Sequence, residues 1–240
     1  MPDIVRVYTQ AEFDHLIDRY TPAHMAGGNA VQKFANTSFA GLHFFATPCV
    51  QGWTFRECDL RDTNIVGCEL GGCDFTGSNL AGVDLSACTG TDGINLSNAN
   101  LEGTQLPRNI QKWNLTGANL AGVDLSAWTG PGVNLSNANL VGSRLPQSIQ
   151  KWNFNGANLA GVDLSACTAA CTGYGVDLSN ANLVGARLPR SIASWNFNGA
   201  NLGGVDLSAC TGNNVNLSNA NLEGTQLPRS IQQWNLTGAN

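Results

Sequence analysis

The chain has 240 residues, 42% of them hydrophobic and only 12% charged, with 12 basic against 17 acidic side chains for a net charge of −5. That apolar fraction belongs to a folded protein and excludes a disordered one, and with lysine at positions 33, 112 and 151 alone there is no broad basic field to hold nucleic acid or anionic lipid. No apolar run approaches the roughly 18 residues of a membrane span, and the opening MPDIVRVYTQ lacks a basic stretch followed by an apolar one, so a soluble, unexported, cytoplasmic protein without membrane contact is expected.

Residues 1–33 stand apart from the rest of the chain. Thr9 and Glu12 have the spacing of a capping box, and Phe13, Leu16, Ile17 and Tyr20 recur at helical spacing before Thr21-Pro22 stops the pattern. One helix is expected there, acting as a cap that shields an otherwise open strand edge.

From residue 34 to 240 the chain repeats itself. Leu, Phe or Ile stands at 55, 60, 65, 70, 75, 80 and 85 without a break. Triplets then follow at 96/101/106, 115/120/125, 135/140/145, 154/159/164, 178/183/188, 197/202/207 and 217/222/227. Short gaps holding a lone Ile (110, 149, 192, 231) alternate with longer gaps holding SACTG, SAWTG or SACTA. The super-repeat is 39 residues (115 to 154, and 197 to 236), or 43 where four residues enter between 154 and 197.

A period of five suits neither a helix at about 3.6 residues per turn nor a strand at about 2. It suits a chain that turns a corner every five residues, so that four corners close a coil and neighbouring coils hydrogen-bond like parallel strands at about 4.7–4.9 Å. The glycine that often follows two residues after the centre, as in NLAGV and NLEGT, supplies a permissive corner. The eight cysteines (49, 58, 68, 73, 88, 167, 171, 210) follow this repeat and no metal-ligand or disulfide spacing, so most are expected to be small buried groups.

The segments GANLAG, SNANLEG, TGSNLAG and RECDLRD resemble the A(D/N)LXX motif of the pentapeptide-repeat family over about residues 34–240. The resemblance implies an all-β fold, a right-handed quadrilateral β-helix. Counting on that model starts coils near Phe34, Phe55, Phe75, Leu96, Leu115, Leu135, Phe154, Leu178, Phe197 and Leu217, about ten in all, or a rod of roughly 50 Å. One face departs from the motif: its long gaps lack the central Leu and its short gaps have lost a residue.

In that register the residue before each centre forms a column. The first face gives Asn95, Asn114, Asn134, Asn153, Asp177, Asn196, Asn216 and Asn235. The second gives Asn79, Asn100, Asn119, Asn139, Asn158, Asn182, Asn201 and Asn221. Both are expected to be amide ladders. The third face alternates, and Asp124, Arg144, Asp163, Arg187 and Asp206 are expected to form a structural ion-pair ladder. Two before each centre the second face is nearly all Ala, where only a small side chain fits. The first face there alternates Trp113, Trp152, Trp195 and Trp234 with Val133, Val176 and Val215, and each Trp is expected to fill space beside the coil that lacks a centre. Sequons at Asn36, Asn95, Asn114, Asn134, Asn216 and Asn235 lie mostly inside these ladders, and glycosylation would disrupt them, which again favours a cytosol.

For chemistry the chain offers little. His15, His24 and His43 lie in or near the cap without a nucleophile in register. Cys167 and Cys171 are two thiols without two further metal ligands. No catalytic residue, cofactor or metal is therefore expected. Binding has two candidates: a basic face from PRNIQKW, PQSIQKW, PRSIASW and PRSIQQW that carries Arg108, Lys112, Lys151, Arg190 and Arg229, and the insertion CTAACTGYG at 167–175.

The division expected is a cap over 1–33 and a β-helix over 34–240, the latter continuing past Asn240 or stacking end to end on another copy through its C-terminal coil. The leading functional expectation is a non-enzymatic structural or protein-binding solenoid of undefined partner. The resemblance also implies an alternative, since some members of the family bind type II topoisomerases such as gyrase by mimicking DNA. Against it, two faces carry mostly neutral Asn and the third offsets Asp with Arg. A third reading has the Ser/Thr/Asn rows binding an ordered surface such as ice.

Overall fold

The computed structural model describes residues 4, 6–20, 33–44, 50–89, 93–110, 113–129, 132–167 and 175–240. The chain divides into two compact units, Met1–Asn119 and Leu120–Asn240. Each is a stretch of right-handed quadrilateral β-helix, in which parallel bridges recur at five-residue steps, as at Asp74, Asn79 and Asp84. Among the described residues no helix is long and apolar enough to cross a membrane.

In the first unit, strand β1 (Arg6–Val7) leads into helix α1 (Gln10–Tyr20). The helix starts as its sequence dictates. Glu12 accepts from the Thr9 N–H at 2.8 Å and from its hydroxyl at 2.9 Å, and the Thr9 hydroxyl accepts from the Glu12 N–H at 3.3 Å, a closed capping box. Strands β2 (Lys33–Ala35), β3 (Thr37–Ser38) and β4 (Thr54–Arg56) follow. β1 pairs in parallel with β3, and the amide of Gln10 both donates to the His43 carbonyl at 3.0 Å and accepts from its N–H at 2.8 Å. The N-terminal segment thus satisfies edge groups of the first coil on two faces, as a cap must.

β2 pairs with β4 in the register Phe34 to Phe55. Phe34 stacks on Phe55 at 5.5 Å and Phe55 on Phe75 at 5.2 Å, so the first three first-face centres form an aromatic column. Phe13 of α1 is fully buried against the next two centres of the first coil, 4.3 Å from Phe44 and 5.7 Å from Phe39.

In the second unit the same column reads Leu135, Phe154, Leu178, Phe197, Leu217, all 0% exposed. Each corner is a turn in which the residue three after a centre donates to that centre's carbonyl, as Ala138 does to Leu135 at 3.1 Å and Ala157 to Phe154 at 2.9 Å. The third turn position takes a positive φ, 59° at Asn137 and 68° at Gly156, which only Asn, Asp and Gly reach at low strain. The two types alternate for a reason. A Cβ on Gly156 would meet the Asn137 side-chain oxygen at 2.3 Å, so the Asn of one coil lies over the Gly of the next.

The third face corrects the sequence reading. Leu145 and Leu188 are only half-buried, and the residues that point inward are Pro146 and Pro189. The shortened coil slips by one residue, which exchanges inside for outside. The ladder is cut as a result. Asp124 bridges Arg144, Asp163 bridges Arg187 and Asp206 bridges Gln226, but among the described residues no bridge joins Arg144 to Asp163 or Arg187 to Asp206.

Candidate functional site

The outer faces are the candidate site, and their side chains are held by the turns beneath them. On the first face of the second unit Asn196 donates to Asp177 at 3.1 Å, Asn216 to Asn196 at 2.9 Å and Asn235 to Asn216 at 3.3 Å. On the second, Asn158 donates to Asn139 at 3.3 Å, Asn182 to Asn158 at 3.0 Å and Asn221 to Asn201 at 2.9 Å. The same oxygens accept from the N–H two residues on, as Asn158 does from Ala160 at 3.3 Å. Each Asn therefore closes its own turn and ties it to the neighbouring coil. The first unit does likewise through Asn95 and Asn114 at 3.1 Å and Asn100 and Asn119 at 2.9 Å.

A second row runs alongside on the first face: Asn155 donates to the Ser179 hydroxyl at 2.7 Å and Asn198 to that of Ser218 at 2.6 Å. The short polar residue after each centre is the signal for it. The sequence reading missed two ion pairs of the first unit. Arg56 reaches Asp74 of the next coil at 2.7 Å, and Arg61 clasps Asp59 with bonds of 2.9 and 2.7 Å. The Arg61 side chain holds the Asp59 carboxyl below the usual carboxylate range. Near Arg56 a recess of about 400 Å³ is lined by Lys33, Phe34, Ala35, Thr54 and Arg56.

The third-face ladder is weaker than expected. Among the described residues its one ion pair is Arg144 to Asp124 at 3.9 Å, between side chains 79% and 56% exposed. The Asp124 and Asp163 carboxyls sit below the usual range chiefly because Ser126 and Ser165 hydrogen-bond to them, with Arg144 and Arg187 contributing least. Asp206 follows the same pattern through Ser208. As an internal ion-pair ladder the column is largely unmade: even the bridged Asp163 and Arg187 form no ion pair.

Of the basic candidates, Arg108 is exposed in the first unit, and Lys151, Arg190 and Arg229 are exposed in the second. Lys112 lies outside the described residues. They fall in two columns and not one: Arg190 and Arg229 follow Pro189 and Pro228, while Lys151 occupies a positive-φ corner equivalent to Ser194 and Gln233. His15 is exposed, His43 serves through its backbone, and His24 is outside the described residues, as are Cys171 and positions 168–174 of the insertion.

The described thiols are buried. Cys167 donates to the Pro146 carbonyl at 3.8 Å and Cys210 to that of Pro189 at 3.4 Å. Burial pushes Cys73 and Cys88 up to about 12 and Cys58 and Cys210 up to about 11. Among the described residues no group of three or more His, Cys, Asp and Glu is placed to hold a metal ion.

The tryptophans behave as space-fillers. Trp152 and Trp195 are buried, and the Trp234 indole donates to the Gly212 carbonyl at 2.7 Å, the residue where the long gap lacks a centre. Among the described residues the buried Trp195 N–H finds no acceptor.

A model of the pentapeptide repeats family matches in 8 copies over residues 55–89, 114–147 and 196–231. Among solved structures the chain is similar to HetL of the cyanobacterium Nostoc sp. strain PCC 7120, a pentapeptide repeat protein involved in heterocyst differentiation regulation. That match has 22% identity over 97% of this chain and 94% of the other, with a TM-score of 0.32. It is also similar to full-length QnrB1, a plasmid-mediated fluoroquinolone resistance protein, at 17% identity over 88% and 91% and a TM-score of 0.23. The pentapeptide repeat protein Rfr23 of the cyanobacterium Cyanothece 51142 is 25% identical over 60% and 61%, with a TM-score of 0.13. No curated protein matches. Residues 55–89, 114–147 and 196–231 are thus pentapeptide repeats, and the same rungs continue between them, from Asn79 to Asn100 and from Asn153 to Asp177 to Asn196.

Proposed function

We propose that the protein is a non-enzymatic solenoid whose outer faces bind another protein. The observation that supports this reading is the locking of polar side chains into rows, such as Asn139, Asn158 and Asn182. A face whose side chains are already ordered loses little conformational entropy on docking. Arg190, Arg229 and Lys151 are the proposed contacts on the basic face, with Arg108 and Lys112 their counterparts in the first unit. The test is capture of a partner by the full chain, followed by titration calorimetry with that partner against Arg190→Glu/Arg229→Glu. Binding weakened at least about tenfold, as expected for desolvated charge contacts, supports the reading. Unchanged binding removes this face from it, and turnover of any substrate by the purified chain overturns it.

DNA mimicry of the kind that modulates a type II topoisomerase is the second reading. It draws on the charge distribution: residues 1–119 hold 7 basic and 12 acidic side chains, 7 − 12 = −5, the whole net charge of the chain. A supercoiling assay with gyrase decides it, and no inhibition at high protein concentration disposes of it.

A further inference from the structure

The third face of residues 120–240 is where the structure departs furthest from the repeat. Its column reads Asp124, Arg144, Asp163, Arg187, Asp206, Gln226, all exposed, with a single long ion pair among them. We infer that this face docks on the same face of a second copy of the chain, side by side and antiparallel.

Symmetry is the first support. A twofold axis placed between two neighbouring rungs brings each odd rung of one strip against an even rung of the other. In a column that alternates strictly in sign, every such contact is then attractive. With the axis between Asp163 and Arg187, Asp163 meets Arg187 of the partner subunit and Arg144 meets Asp206 of the partner subunit. The two reciprocal contacts make four opposite-charge pairs, and Asp124 faces Gln226 of the partner subunit. Moving the axis one rung, to lie between Arg144 and Asp163, again sets only opposite charges together. A parallel pairing of the same strips requires a one-rung slide and leaves an operator that does not close.

The surface around the charges suits this approach. Beside each Asp stands a small exposed Ser: Ser126, Ser165 or Ser208. Beside Arg144 and Arg187 stand the half-buried Leu145 and Leu188, turned outward by the register slip that buries Pro146 and Pro189. Small residues thus alternate with leucines along the strip, which supplies apolar contact between the ion pairs. At about 4.7–4.9 Å per rung the strip is about 24 Å long. It is narrower than a standard interface of about 800 Å² per partner, so the pairing is weak and screened by salt, whose Debye length is about 10 Å at 0.1 M. The inference is independent of any other partner, since a chain that stays monomeric leaves the basic face untouched.

The experiment is sedimentation equilibrium of the full chain over a concentration series in low and in molar salt. The expected result is a mass that rises toward the dimer with concentration in low salt and returns to the monomer in molar salt. Arg144→Asp/Arg187→Asp makes every charge of the strip acidic, and Asp124→Arg/Asp163→Arg/Asp206→Arg makes every charge basic. Each variant alone is expected to self-associate about tenfold more weakly or worse, and an equimolar mixture to restore dimerisation. Circular dichroism checks that each variant keeps its β signal. The wild-type salt dependence tests the inference even if one variant misfolds. A wild-type chain that stays monomeric in low salt overturns it. So does association unchanged by the reversals, which would assign it to another surface such as the C-terminal coil, or a mixture that fails to restore it.

Discussion

Residues 1–119 and 120–240 run the same five-residue turn with different materials. The first unit carries the entire net charge, while the second holds 5 basic and 5 acidic residues, 5 − 5 = 0. The first coils of the first unit stack an aromatic column and have polar inner corners: Cys73 donates to the Val50 carbonyl at 2.8 Å, Cys88 to that of Ile65 at 3.1 Å, and Ser78 to that of Phe55. From residue 99 on, the second-face corners are Ala99 and Ala118 in the first unit and Ala138, Ala157, Ala181 and Ala200 in the second, each 0% exposed, and the coils there add Asn rows on the outside. The frame therefore depends on the size of the corner residue and on the turn it closes. Whether the link between coils runs inside or outside is left to local chemistry.

The largest test of that comparison is a large-to-small exchange in the shared column. Phe55→Ala is expected to lose about 3–5 kcal/mol and Leu178→Ala about 2–5, read by urea unfolding, with the Phe loss the greater because two stacked rings lose their partner. Equal losses would mean that the aromatic column adds nothing beyond buried area.

Glycine corners come next. Gly156→Ala is expected to cost up to about 3 kcal/mol, since its Cβ would displace the Asn137 oxygen at 2.3 Å. Gly161→Ala, with nothing within 4 Å of the added Cβ, carries only the strain of its positive φ, about 1 kcal/mol. Gly77→Ala in the first unit meets a Glu57 carbon at 3.2 Å and is expected to fall between. Thermal melts of the three variants check the order.

A smaller effect separates outer rows from inner corners. Asn158→Ala removes one donor and one acceptor from the middle of its row and is expected to cost about 1 kcal/mol. Hydrogen exchange should show the loss at the Ala160 backbone N–H and the Asn182 side-chain amide, both of which donate to Asn158.

Acid gives the smallest effect. The Asp59 carboxyl is held down by its hydrogen bonds to Arg61, and that of Asp74 is lowered by hydrogen bonds from Thr76 and Arg56 that outweigh the opposing effect of burial. A depressed folded-state pKa contributes stability that is present above the unfolded value of about 3.9 and is lost as pH falls through the folded one. Their partners Arg61 and Arg56 are exposed, so the loss is expected to stay under about 1 kcal/mol each. Melting wild type and Asp59→Asn at neutral pH and near pH 3 should show a smaller acid-induced drop in the variant.

Much of this was readable in the sequence. The Thr9–Glu12 box, the Phe34 to Phe55 register, the two Asn columns and the Ala corner all follow from spacing alone, because a strict period leaves one register in which every apolar centre points inward. The Trp role was readable too, since Trp234 meets the glycine of the gap that lacks a centre. The third face was not. Leu106, Leu145, Leu188 and Leu227 have the spacing of centres, and counting places them inside, yet Leu145 and Leu188 yield their places to the prolines after them. The choice depends on how a coil one residue short closes against its neighbours. The Arg56–Asp74 pair was hidden for a related reason, since it joins residues on either side of a corner in different coils.

The sequence by itself determined the repeating turn, the identity of its inward residues on the regular faces, and the capped first coil, because each depends on residues within a few positions of one another. Only the tertiary structure decided which residue the shortened coil turns inward, and with it whether the alternating Asp and Arg spend their charge within the chain or present it outward. That outcome depends on the phase of one coil against the next, and packing between coils sets that phase.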